Sequence, residues 1–212
     1  VDPLVEVDLV PGVEVDAEEL IAEVAIVDRS GSAMTKTCSL IEKEGKRPLS
    51  IAADLTKKDE AERAVAETLE RFGRLDIIIN AIGGGAGKVL FDAEEYPEDE
   101  WNWIMDLNLT TTVLTTQAAV KAMIAGGAGG KVLNISSVRG MLGINAGYSA
   151  YVAAKGAVNS LTRQWATEWA KHNITVNAIS PTFVDTPQVA MLLDDPDFKE
   201  GIINRVPLRR VG

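Results

Sequence analysis

Five short apolar runs, each followed by a polar residue, constrain this chain more than any other feature of it. Val24 to Val27, Ile77 to Ile79, Val132 to Ile135 and Ile174 to Ile179 are rich in Val and Ile, and a weaker run covers Leu49 to Ala53. Near-continuous runs of this kind mark parallel strands buried on both faces, whereas strands wet on one face alternate. Asp28, Asp54, Asn80, Ser136 and Ser180 follow the runs, so polar side chains stand at the carboxyl ends, where open α/β sheets take their ligands. Helix-length segments at about 58 to 72, 98 to 125 and 150 to 171 lie between, with apolar residues three and four apart. Strand and helix in alternation predict a single α/β domain built on a doubly wound parallel sheet.

Charge and composition exclude several partners. With 21 Lys plus Arg against 31 Asp plus Glu, the net charge is 21 − 31 = −10, which disfavours neutralising phosphates along a nucleic acid. The one cysteine, Cys38, cannot form an internal disulfide, and with the one histidine, His172, it leaves too few soft ligands for a zinc site. No apolar stretch long enough for a membrane span stands out, so the chain reads as soluble and cytoplasmic, with no metal. Any chemistry falls to hydroxyls, a lysine and a bound cofactor.

The third helical segment carries Tyr151 and Lys155 one turn apart, which places phenol and ammonium on one face. A nearby positive charge is expected to lower the tyrosine pKa toward working pH. Ser137 ends the Val132 to Ile135 strand on the ligand edge, and the loop that follows is long enough to bring its hydroxyl to the phenol. Asn108 lies inside the otherwise apolar middle helix, where a buried carboxamide needs partners and could bend the helix or hold a water. Gly126, Gly127, Gly129 and Gly130 read as the stop of that helix. Ala153, Ala154, Ala157, Val158, Leu161, Trp165 and Trp169 form a wide apolar face suited to packing within the domain or between subunits.

From Val24 to Gly212 the residues resemble the short-chain dehydrogenase/reductase family, on the set Asn108, Ser137, Tyr151 and Lys155 and on further pieces in order. These are Val24-Ala25-Ile26-Val27-Asp28, Asp54-Leu55-Thr56, Leu75 to Asn80, and Ser180-Pro181-Thr182-Phe183-Val184-Asp185-Thr186-Pro187. The resemblance implies a Rossmann-like fold and hydride transfer between NAD, with NADP left open, and a secondary alcohol or ketone. It assigns proton transfer to Tyr151, ribose holding and pKa lowering to Lys155, carbonyl orientation to Ser137 and a water relay to Asn108. It also implies a cofactor cleft lined by Asp28, Asp54, Leu55, Asn80, Gly83, Tyr151, Lys155, Pro181, Val184 and Thr186, and a homo-oligomer, dimer or homotetramer. A carboxylate at Asp28 favours NAD by repelling a 2′-phosphate, while Arg29 beside it keeps NADP open.

The pattern departs from the family at its ends. Residues 1 to 23 form an atypical segment ahead of the domain at 24 to 212. Val5 to Val10 alternates apolar with acidic, Asp16 with Glu19 suggests a capping box, and Gly12 alone stands where a glycine-rich phosphate turn is expected. Gly83-Gly84-Gly85-Ala86-Gly87 is expected to line the cleft rather than grip phosphate. Relatives continue some forty residues past the position of Gly212, with a further strand. The Glu168 to Lys171 run and Pro181-Thr182-Phe183 resemble members acting on sugar acids and polyols, with 3-oxoacyl thioesters and small cyclic ketones left open as substrates. A catalytically silent subunit beside an active paralogue is the alternative.

Overall fold

The computed structural model describes residues 22–85, 87, 89–143, 147–186, 189 and 193–212, the side chain of Ala33 excepted. The alternating run at Val5 to Val10 and the capping box at Asp16 therefore lie outside the described residues. Five strands are present: β1 (Ala25–Asp28), β2 (Leu49–Ala52), β3 (Ile77–Asn80), β4 (Gly130–Ile135) and β5 (Ile174–Ile179). They alternate with α1 (Gly31–Lys43), α2 (Lys58–Phe72), α3 (Glu98–Met105), α4 (Thr111–Gly126) and α5 (Ser149–Trp169), and α6 (Pro196–Ile203) follows. All five apolar runs form strands, and every pairing is parallel.

Among the described residues the strands form two sheets rather than one, β1 with β2 and β3 with β4 and β5. Within each sheet the strands follow one another in parallel, as parallel α/β folds require. The tie between the halves is helical: α2 packs on α4. Val27, Leu49, Ile51, Ala53 and Leu55 share an apolar cluster with Ile82 and Leu114, which follow β3 and lie on α4. On β3, Ile77 and Ile79 are 49% and 58% exposed, so this strand has one wet face instead of the two covered faces its sequence predicts.

Local chemistry sets the helix ends. The first turn of α2 carries Asp59 and Glu60 and its last turn Arg71, signs that complement the helix dipole. The glycine stop after α4 forms as expected, with Gly127 left-handed at φ 71. Asp195 caps α6 by accepting from the backbone N–H groups of Asp197 and Phe198, with Pro196 at the first position. The main core joins Val120 and Met123 of α4, Val132 of β4, Trp165 of α5, and Ile174 and Val176 of β5. Trp165 and Trp169 stack at 5.2 Å, so the tryptophans of the α5 face pack within the subunit.

A buried polar ladder crosses this core behind the strand ends. Asn80 and Asn134 face each other in register on β3 and β4. Asn80 Nδ2 donates to Asn134 Oδ1 and to Thr116 Oγ1, each at 2.8 Å, and Asn80 Oδ1 accepts from Thr115 at 2.7 Å. Asn134 Nδ2 donates to Thr162 Oγ1 at 2.9 Å. Two strands and two helices are thus fixed in one register by side chains that would be costly to leave unpaired. Replacing Asn134 by Ala removes one acceptor of the buried Asn80 amide and the donor to Thr162 Oγ1, leaving Asn80 with Thr116 and Thr162 with Val158 O; we expect a loss of about 1–3 kcal/mol in urea-unfolding stability.

Candidate active site

The candidate site begins where β4 ends. Ser136 N–H donates to Ile179 O and Val138 N–H to Pro181 O, which extends the β4–β5 ladder past the strands and brings Pro181 beside Ser137. Ser137 is buried and extended, and its Oγ accepts from Arg139 N at 3.1 Å. The chain returns through α5, which the same strand end latches: Ser136 Oγ donates to Lys155 O at 3.1 Å and Lys155 Nζ to Ile135 O at 2.9 Å. The Ser137 side chain bears on the Tyr151 phenol, and Lys155 Nζ lies 5.8 Å from the centre of the Tyr151 ring.

Burial governs the ionisation of both groups. Lys155 is only 4% exposed, and desolvation pulls its ammonium down to about 8. Tyr151 packs against the cluster of Val89, Ile104 and Ala150 with Phe91, Tyr96 and Trp101, and its phenol is pushed above its ordinary value chiefly by that burial. The Ser137 side chain and the Arg139 charge pull it back only in part. This reverses the sequence expectation of a lowered phenol. Desolvation of a phenolate inside an apolar cluster outweighs the neighbouring dipole and charge.

Asn108 interrupts the middle helix, as its polarity suggested. The segment Asp106–Thr110 between α3 and α4 is a π-helical turn, a feature frequent at functional sites. Asn108 is fully buried, and its Nδ2 donates to Ile104 O and Gly84 O while its Oδ1 accepts from Gly84 N at 2.8 Å. The carboxamide therefore clamps the backbone after β3 on both its donor and its acceptor. A Cβ at Gly83 would lie 2.8 Å from Asn108 Oδ1 and 3.0 Å from Lys155 Nζ, so only glycine lets this loop pass so close to the lysine. Gly85 packs against Trp103 and Ile104, and the glycine run is thus bound to the π-turn region.

The residues expected along a cofactor cleft divide by what their side chains do. Asp28, half-buried at the end of β1, accepts from Ser30 N through Oδ1. Asp54 Oδ1 accepts from the backbone and hydroxyl of Thr56, which hold its carboxyl below the usual range. The Leu55 side chain is buried in the apolar cluster under β2, and the Asn80 amide is taken up by the ladder. For those two, only backbone faces the strand ends. Val184 and Thr186 are exposed beyond β5, where Gly212 N–H donates to Phe183 O and Asp185 N–H to Gly212 O.

A nicotinamide dinucleotide fits these groups. Lys155 Nζ uses one of its three donors on Ile135 O, leaving donors for a ribose hydroxyl. Asp28 keeps a second carboxylate oxygen at a strand carboxyl end, where a ribose is bound in folds of this kind. Among the described residues no three of His, Cys, Asp and Glu gather as metal ligands, and no helix is long and apolar enough to cross a membrane. Sequence reasoning missed Asn134 and Arg139. For Asn134 the signal was a polar residue inside an apolar strand; for Arg139 it was a cation two positions after Ser137.

Known proteins show the family to which the chain belongs. The family model described as enoyl-(acyl carrier protein) reductase matches residues 16–212. The chain is 38% identical over 180 residues to 2-dehydro-3-deoxy-D-gluconate 5-dehydrogenase of Escherichia coli, covering 84% of this chain and 69% of that protein. It is 40% identical over 140 residues to an NAD-dependent glycerol dehydrogenase of Listeria innocua, covering 66% of this chain and 53% of that one. The crystal structure of a gluconate 5-dehydrogenase from Burkholderia cenocepacia in complex with NADP and tartrate superposes with a TM-score of 0.78 at 29% identity, over 90% of this chain and 73% of that chain. The chain belongs to the short-chain dehydrogenase/reductase family, the oxidoreductases with a Rossmann fold and a nicotinamide nucleotide cofactor.

The buried lysine gives a test of this geometry. Between pH about 8 and its ordinary 10.5, unfolded chains hold the Lys155 proton and folded chains do not. The residue's contribution to stability therefore rises with pH across that window. Urea unfolding at pH 8 and pH 10 is expected to show this rise, and Lys155→Met to remove it.

Proposed function

We propose that this chain catalyses reversible hydride transfer between NAD(H) and a secondary alcohol or ketone on a small polyhydroxylated substrate, a sugar acid or a polyol. The observation that carries the reading is the convergence of Ser137, Tyr151 and Lys155 at one strand end, with Asn108 clamping the loop beside them. Bound nicotinamide nucleotide supplies or accepts the hydride at the carbon bearing the oxygen. The substrate oxygen takes hydrogen bonds from Ser137 Oγ and Tyr151 Oη. Tyr151 gives its proton to that oxygen in reduction and removes it in oxidation, so charge on oxygen is neutralised as it develops. Lys155 orients the ribose and offsets the charge of a phenolate. Asp28 prefers a ribose bearing both hydroxyls to one bearing a 2′-phosphate, hence NAD before NADP, although the Burkholderia relative is recorded with NADP.

The family relationship and the names of the relatives support an enzyme rather than a silent structural subunit. A cytoplasmic homo-oligomer, dimer or tetramer, completes the reading. It is supported by the acidic charge, the single cysteine and the apolar residues left exposed at Ile124 and Trp103.

Replacing Tyr151 by Phe is expected to lower kcat by roughly 10² to 10⁴-fold with NADH binding retained in calorimetry; undiminished turnover would end the proposal. Because burial raises the phenol, Tyr151 is a proton donor at neutral pH. Reduction should hold through neutral pH and fall in alkali, while oxidation climbs with pH as phenolate forms.

A further inference from the structure

Arg139 is a charged group at the catalytic edge to which the mechanism gives no task. It lies in the single turn Val138–Gly140 directly after Ser137, and its own N–H is bonded to the serine hydroxyl oxygen. The turn is seated hard on α5: a Cβ at Gly140 would fall 2.6 Å from both Lys155 O and Asn159 Nδ2. Arg139 is thus held in fixed relation to Ser137, Tyr151 and Lys155, and its charge is felt at the phenol.

The guanidinium has capacity to bind. One nitrogen, Nη1, donates to Gly143 O at 3.2 Å, which leaves most of its five N–H donors for another acceptor. None of the ion pairs among the described residues includes Arg139. The chain as a whole carries a net charge of −10, a field that repels anionic substrates. A carboxylate substrate therefore needs a local cation, and arginine matches a carboxylate with two parallel hydrogen bonds where lysine offers a point charge.

We infer that Arg139 selects the substrate class, binding the carboxylate of an open-chain hydroxy acid or keto acid whose secondary alcohol or ketone sits at Ser137 and Tyr151. This rests on the oxidoreductase reading above and narrows it from sugar acids and polyols to the acids. A polyol of the same length presents a neutral hydroxyl to the guanidinium and loses the charge-assisted pair.

The test compares D-gluconate with D-glucitol, equal in carbon number, as substrates with NAD for the full chain and for Arg139→Ala and Arg139→Lys. Loss of a hydrogen-bonded charge pair corresponds to about 10- to 100-fold. The ratio of kcat/KM for the acid over the polyol should fall by that factor in Arg139→Ala, mainly through KM, and recover in part in Arg139→Lys. The effect of Arg139 on the phenol acts on both substrates alike and cancels in the ratio. An unchanged ratio overturns the assignment, whether both rates fall together or neither does. A separate readout is gluconate binding by calorimetry to Tyr151→Phe with NADH present, with and without Arg139. If neither substrate turns over, the oxidoreductase reading fails; gluconate binding that depends on Arg139 then still upholds the carboxylate site, and binding that is absent or indifferent to Arg139 overturns it.

Discussion

Three buried carboxamides hold the strand ends of the candidate site in place. Asn80 and Asn134 lock β3 to β4 and reach Thr115 and Thr116 on α4 and Thr162 on α5, while Asn108 locks the π-helical turn to the loop after β3. Each amide is satisfied only in one relative position of its partners, and a buried amide left unpaired costs more than the same bond gains. The apolar core can tolerate small slips; the ladder cannot. That rigidity fixes where β4 ends, and the end of β4 in turn fixes Ser137 and the acceptor for Lys155.

Lys155 depends on that frame directly. An ammonium 4% exposed is tolerated because Ile135 O receives it and Ser136 ties the helix backbone to the same strand end. Gly83 leaves the space that a side chain would take from it. Burial lowers the lysine and raises Tyr151, the latter on the apolar floor of Val89, Ile104 and Ala150. The site therefore favours a neutral phenol beside a lysine that gives up its proton easily, an arrangement in which the phenol is poised to donate at neutral pH.

Much of this was legible in the residues, and the misses have physical causes. All five strands were readable because Val and Ile runs need no tertiary context to stand out, and the residues of α2 fell at 58 to 72 as their periodicity predicts. Helix α1 was not, since Gly31, Ser32, Thr35, Thr37 and Ser39 are weak helix formers; it forms because it packs on β1 and β2. The candidate catalytic residues stood out by spacing and resemblance, and the structure brings Ser137 and Lys155 to one strand end. The roles of Asn80 and Leu55 were not, because position at a strand end does not say which way a side chain turns. Nor does spacing report desolvation, which is why the Tyr151 shift came out reversed.

The division of the strands bears on how a dinucleotide would act on this fold. Asp28 stands on the β1–β2 pair and Lys155 is held by the β3–β4–β5 sheet, and the described contacts joining the two run through α2, α4 and the cluster around Ile51 and Ile82. A ligand that bridges Asp28 and Lys155 binds both sheets at once, and only in their folded relation. Its binding free energy then adds to the apolar tie as stabilisation of the whole domain rather than of either half, by the linkage that holds for any ligand specific to the native state. For such a ligand, recognition and domain integrity would be the same interaction, seen from the two sheets.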